Sequence, residues 1–162
     1  LIDNGDAVIA TDSALVVEEA FDDSRLLRVA AEFPRAYVAR WVGFHTREHA
    51  ASRTWRWMAR TGTLRLSIEA ALGDAMMLID LRSFPGPRRV DWSVAGVKQG
   101  ELDVTPEWRS YELTAGRLEK GGLDLTFRCR EPAVVADTAL GNGDSRELCL
   151  AVSSWRLDPR EP

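Results

Sequence analysis

At 162 residues, 45% hydrophobic and 28% charged, the chain is long enough for one globular domain with a real core. Its formal charge of −4 argues against a general nucleic-acid surface, which needs a basic excess to neutralise phosphates. No apolar run approaches the roughly 18 to 20 residues of a bilayer-spanning helix, and no signal peptide is recognised.

The chain opens on Leu1 rather than Met, so a piece excised from something longer is expected, with any targeting or membrane segment left behind. Residues 1–33 carry Asp3, Asp6, Asp12, Glu18, Glu19, Asp22, Asp23 and Glu32 against only Arg25 and Arg28. Nearly all the negative excess lies there, which hints at two parts of different origin. Within residues 1–35, Ala7 to Ala10 and Ala14 to Val17 suit short strands. Ser24 suits an N-cap for a helix over Arg25 to Phe33, whose stripe of Leu26, Leu27, Val29, Ala30 and Phe33 ends at Pro34. The Asp22-Asp23 approach fits a helix N-terminus. One longer helix from Ser13 through Phe33, or a linker, are the alternatives.

From Arg35 the pattern changes to short β runs. Ala36 to Val42 comes first, then a polar loop from Gly43 to His49, then Thr54 to Ala59. In the next run, Thr63 to Ala70, Leu64, Leu66 and Ile68 point inward. Met76 to Ser83 follows the Gly73-Asp74 turn, and Pro85-Gly86-Pro87 closes it. Val90, Trp92 and Val94 alternate with Arg89, Asp91 and Ser93; Ala95-Gly96 turns the chain; Leu102 and Val104 resume, Pro106 interrupts, and Tyr111 and Leu113 continue. Leu123, Leu125, Phe127 and Cys129 line another strand. A long irregular segment, Glu131 to Ser145, leads to a last strand from Glu147 to Leu157. Leu148, Leu150 and Val152 share one parity there and Trp155 and Leu157 the other, so a bulge is expected near Ser153-Ser154.

About eight short strands at roughly ten-residue spacing, without helical pattern between them, predict an all-β, antiparallel jelly-roll-like β-sandwich over residues 36–158. A partly helical or mixed acidic segment, 1–35, precedes it and a tail, 159–162, follows. Arg65, Glu69, Asp80, Arg82, Arg89, Asp91, Asp103, Arg128 and Arg130 make outward rows of alternating sign, as in a solvated sheet face held by cross-strand pairs; a polar groove for sugar hydroxyls is the sharper alternative. Arginine outnumbers lysine nineteen to two, for which coding bias is a simpler cause than selection for bidentate hydrogen bonding. Cys129 and Cys149 lie in apolar runs where a free thiol acts as a small hydrophobe, and two cysteines do not fix the redox compartment.

The run Trp108-Arg109-Ser110-Tyr111-Glu112-Leu113 resembles the W-x-x-Y-x-L strand of jelly-roll modules related to galactose-binding domains. Asp144, Arg146 and Leu148 to Val152 resemble the D-x-R-x-L-G ending of β-sandwich domains in bacterial surface-polysaccharide and glycosyltransferase proteins, with Cys149 where glycine is usual. Gly43-Phe44, Glu48 and Arg56-Trp57 are similar to the opening segment of those domains. The resemblance spans about Arg40 to Leu157. It implies that Trp108 and Tyr111 both pack the core, and that the chain is an accessory module of a glycan-assembly enzyme or membrane protein without catalysis of its own.

His45, Glu48 and His49 form the one cluster an active-site search selects, as H-x-x-E-H. The zinc-protease version of that motif needs a helix, so no metal is assigned; Glu48 is expected to pair with an arginine such as Arg56, and the loop to carry ligand contacts. Six tryptophans invite sugar stacking. Trp92, Trp108 and Trp155 are expected in the core, Trp41 is undecided, and Trp55 and Trp57 share a strand face on which one is exposed. No G-x-S-x-G and no phosphate-binding glycine loop occur. Gly141 to Asp144 suits a turn better than a calcium site, with Asp144, Arg146 and Glu147 as local charge pairing, so no cofactor is expected. The candidate ligand residues are therefore His45, Glu48, His49, Trp55 and Trp57, with Trp108, Tyr111, Asp144 and Arg146 structural. The expected partners are a glycan and other domains of the parent protein, on the cell-envelope side if that parent is a membrane protein. A structural or protein-interaction sandwich is the runner-up, and a sugar-active enzyme comes third.

Overall fold

The alternation of apolar and polar residues is realised as long antiparallel strands. The computed structural model describes residues 36–159 and, ahead of them, the strands β1 (Ile2–Asp3), β2 (Leu15–Phe21) and β3 (Ser24–Val29). These three pair antiparallel in the order β1-β3-β2. Ser24–Val29 is thus a strand, where the Ser24 cap and the leucine stripe predicted the start of a helix. A short apolar run reads equally well at either period, and pairing of Phe21 with Ser24 through Leu15 with Val29 decides it. Ala7 to Ala10 and the remainder of the expected helix lie outside the described residues.

The sandwich consists of β4 (Ala36–Ala50), β5 (Arg53–Ile68), β6 (Gly73–Ser83), β7 (Arg88–Val94), β8 (Val97–Val104), β9 (Arg109–Leu118), β10 (Gly121–Cys129), β11 (Val134–Val135), helix α1 (Ala136–Leu140), β12 (Glu147–Leu148) and β13 (Leu150–Pro159). Two strands run through both layers. The far half of β5, Thr61 to Ile68, pairs with β10, and its near half, Arg56 to Met58, pairs with β13. Strand β4 follows β5 along both halves. One layer is therefore β8-β7-β10-β5-β4 and the other β9-β6-β13-β5-β4. Outside the β4-β5 and β7-β8 hairpins, successive strands β5, β6, β7, and then β8, β9, β10 and β13, alternate between the layers, which is jelly-roll winding.

The inward rows of both layers meet in one core. Leu64, Leu66, Ile68, Val90, Leu125 and Phe127 from the first pack with Met77, Ile79, Leu81, Leu113, Leu150 and Val152 from the second. Each such side chain contributes on the order of 1.5–3 kcal/mol by leaving water. Ala95 and Gly96 both take positive φ, 48° and 80°, and join Val94 to Val97 as the tight hairpin turn expected. The register of β13 slips between Val152 and Trp155, so the predicted bulge brings Trp155 and Leu157 onto the core face.

Several expectations are corrected. Gly43 to His49 is strand, the second half of β4, and Thr54 to Ala70 holds one strand rather than two, because Gly62 lies within β5 instead of ending it. The segment from Glu131 to Ser145 contains β11 and α1. Cys129 and Cys149 are joined as a disulfide between the end of β10 and the start of β13, tying the two layers together.

Candidate functional site

The outer face of the second layer is built by parity. On β5, Met58 faces the core, so Trp57, Trp55 and Arg53 face outward. Trp57 is the cross-strand partner of Ala151, and Ala151 of Arg82; Arg82 in turn lies one residue past the Leu81–Arg109 pair, beside Trp108. The small Ala151 leaves room for large neighbours, and Arg82 extends its guanidinium over both rings, 5.4 Å from the Trp57 centroid and 5.6 Å from that of Trp108. Arg53 reaches the Trp108 ring at 4.9 Å, and the Trp55 and Trp108 rings lie 6.1 Å apart. Trp57 is 6% exposed and packs edge-on to Phe84, with Ala136, Leu148 and Val134 closing over it. Arg53 Nη1, Trp55 Nε1 and Arg82 Nε are buried donors that meet no acceptor.

Trp108 therefore belongs to this outer stack and not to the sandwich interior. Tyr111 lies three positions further on, and in extended chain an odd spacing sends two side chains to opposite faces. Tyr111 does pack against the core, and its hydroxyl donates to the carbonyl of Asp103 at 3.3 Å.

Trp55 also lines an open recess between β4, β5 and β13, together with Trp41, Arg47, Thr54, Arg56, Val152 and Ser153. Trp41 stands edge-on to Phe44, ring centroids 4.9 Å apart, and the Arg56 guanidinium lies 5.6 Å from the Trp41 centroid. Arg56 also donates to the carbonyl of His45 at 3.2 Å, and Ser153 Oγ to that of Thr54 at 2.8 Å. Two aromatic faces thus border guanidinium and hydroxyl groups.

The remaining expected site residues fall into a separate fastening. Glu48 pairs with Arg146, at 2.5 Å, rather than with Arg56. Arg146 grips Asp144 with Nε at 2.9 Å and Nη2 at 2.6 Å. His45 Nε2 donates to the carbonyl of Glu147 at 3.0 Å. These contacts pin β4 to the approach to β12. The Arg146 side chain, and then its backbone N–H, hold the Asp144 carboxyl at about 2, well below its ordinary value. His49 is an exposed partner of Thr54 across the β4-β5 pair, apart from this fastening. Among the described residues no group of His, Cys, Asp and Glu could hold a metal ion. Of the five expected ligand residues, Trp55 alone reaches the recess. Trp41, Arg53, Arg82 and Trp108 were missed as a group because they come from four separate strands or strand ends.

No protein-family model matches the chain, and no curated protein matches it. Solved structures similar to it include a carbohydrate-binding module of Cellvibrio mixtus lichenase 5A in complex with cellotriose, 11% identical, with a TM-score of 0.46 over 76% of this chain and 92% of that one. The C-terminal carbohydrate-binding module of a laminarinase from Zobellia galactanivorans is 9% identical, with a TM-score of 0.46 over 74% and 91%. A carbohydrate-binding module in complex with calcium and xylotriose is 13% identical, with a TM-score of 0.44 over 74% and 91%.

Proposed function

We propose that this domain is a non-catalytic glycan-binding module of a larger bacterial glycan-assembly protein, and that a sugar ring docks in the recess around Trp55. The observation that carries it is the composition of that recess, Trp41 and Trp55 beside Arg47, Thr54, Arg56 and Ser153. A pyranose offers an apolar C–H face and a ring of hydroxyls, and a site for it needs an aromatic surface with polar groups at its border. The β-sandwich holds these groups on strands, so little ordering accompanies binding. The buried Cys129–Cys149 disulfide suits maturation in an oxidising compartment, where surface polysaccharides are displayed.

The test is a titration of tryptophan fluorescence with a panel of bacterial surface polysaccharides and simple oligosaccharides. A saturable change for one glycan class is expected, weakened at least about tenfold by Trp55→Ala, the range measured for an aromatic anchor, with the unfolding transition retained. A flat response from folded protein across the panel would replace this reading with a structural or interaction role.

A further inference from the structure

We infer that the outer face of the second layer carries a second ligand site, centred on Trp108 and separate from the recess, which takes a small organic carboxylate. It does not rest on the glycan-binding reading. Arg53, Arg82 and Trp55 converge on the Trp108 ring, the two guanidiniums 4.9 and 5.6 Å from its centroid and the Trp55 ring 6.1 Å from it. Arg53 Nη1, Arg82 Nε and Trp55 Nε1 are buried there without an acceptor. A buried donor left unmatched is costly, so three on side chains packed against one ring mark a place short of oxygen atoms.

The neighbouring acids are committed elsewhere. Among the described residues no carboxylate pairs with Arg53 or Arg82, in contrast to Arg65, Arg130 and Arg146. Asp80 lies two residues before Arg82 on the same face of β6, and its two oxygens accept from the hydroxyls of Ser110 and Ser154. Glu48, opposite Trp55 in the β4-β5 register, is engaged by Arg146. An indole face attracts a guanidinium but offers no oxygen to its in-plane N–H groups. A carboxylate is planar, accepts two parallel N–H bonds from one guanidinium and carries the matching charge. Arg53, Arg82 and Trp108 are each half-buried, so part of each is open to a ligand. The exposed part of Trp108 then receives the apolar face of the ring that bears the carboxylate. Uronic acids and aromatic acids both combine these two features.

The experiment follows the indole N–H resonances of isotope-labelled protein during titration with four probes: the methyl glycoside of glucuronate, its methyl ester, benzoate and benzamide. Each pair keeps the ring and removes the charge. Saturable shifts of Trp55 and Trp108 are expected with at least one acid, at an affinity about tenfold or more above that of its neutral counterpart, as a charge-assisted bidentate contact provides. That advantage shrinks as salt rises from about 0.05 M to about 0.5 M. Glucuronate alone or benzoate alone would identify the kind of ring, and a response to both would assign recognition to the carboxylate itself. Arg53→Gln and Arg82→Gln should each remove the preference, while Arg65→Gln, on the first layer, should keep it. If Arg82→Gln loses its cooperative unfolding, Arg53→Gln, beside the β4-β5 turn, decides. Equal affinity for acid and neutral probe, no shift in folded wild type, shifts confined to Trp41, or a preference surviving Arg53→Gln overturns the inference. Any of these leaves the recess reading standing, because neutral oligosaccharides test it separately.

Discussion

Asp144 is held by its neighbour Arg146 through both the guanidinium and the backbone N–H, and Asp91 by the side chains of Arg130 and Lys98. Both carboxyls are lowered to about 2 from an ordinary 3.8, Asp91 chiefly by hydrogen bonds from Arg130 and then Lys98. A folded-state value below the unfolded one means that the stabilisation is present above about pH 4 and is lost as pH falls through about 2. The urea midpoint is therefore expected to fall across that window, and Asp144→Asn should flatten part of the decline. An acid limb identical in wild type and variant would sink the assignment. The pairing of Asp144 with Arg146 was legible in the sequence because the two are neighbours. The third member, Glu48, lies ninety-eight residues from Arg146, and nothing local distinguished Arg146 from Arg56 as its partner.

At the scale of the element, β4 and β5 pass together from one layer to the other, and the crossing needs two glycines. Gly43 has φ of +76°, and a Cβ there would meet the Thr61 carbonyl oxygen at 2.5 Å. Gly62 lies under the Phe44 ring, where a Cβ would come within 2.6 Å of it. Gly43→Ala combines a left-handed backbone with a contact against main chain, and is expected to cost about 2–4 kcal/mol. Chemical denaturation measures this; a loss under about 0.5 kcal/mol, the ordinary surface value, would show that the crossing bends elsewhere. Sequence punctuation misled here for a physical reason. Glycine breaks a local pattern whether it ends a strand or lets another side chain cross it, and only the neighbour Phe44 tells which. The even-numbered inward parity runs unbroken from Gly62 through Leu64 and Leu66 to Ile68, and Met58 shares it although Arg60 between them is exposed. Register irregularities between Val38 and Arg47 also interrupt β4, the strand that pairs only with β5 among the described residues, and bulges of this kind discourage a further strand from adding to an edge.

For the whole molecule, the Cys129–Cys149 disulfide closes a loop of sequence separation 20 between the layers. In the loop-entropy account a crosslink of that span is worth about 3 kcal/mol. Replacing both cysteines by alanine should lower stability by about that amount in denaturant titration, with the same effect on adding reductant to wild type. Insensitivity to reductant would mean that the thiols are free.

Period-two alternation, turn residues and a parity change near Ser153 determined by themselves the class of fold, the Ala95-Gly96 hairpin and the bulge in β13, because each is set by residues within a few positions of one another. Tertiary structure alone decided the disulfide, the partner of Glu48 and the stack of Arg53, Trp55, Arg82 and Trp108. Those groups meet across strands far apart in the chain, and their local patterns are the same whether they meet or not.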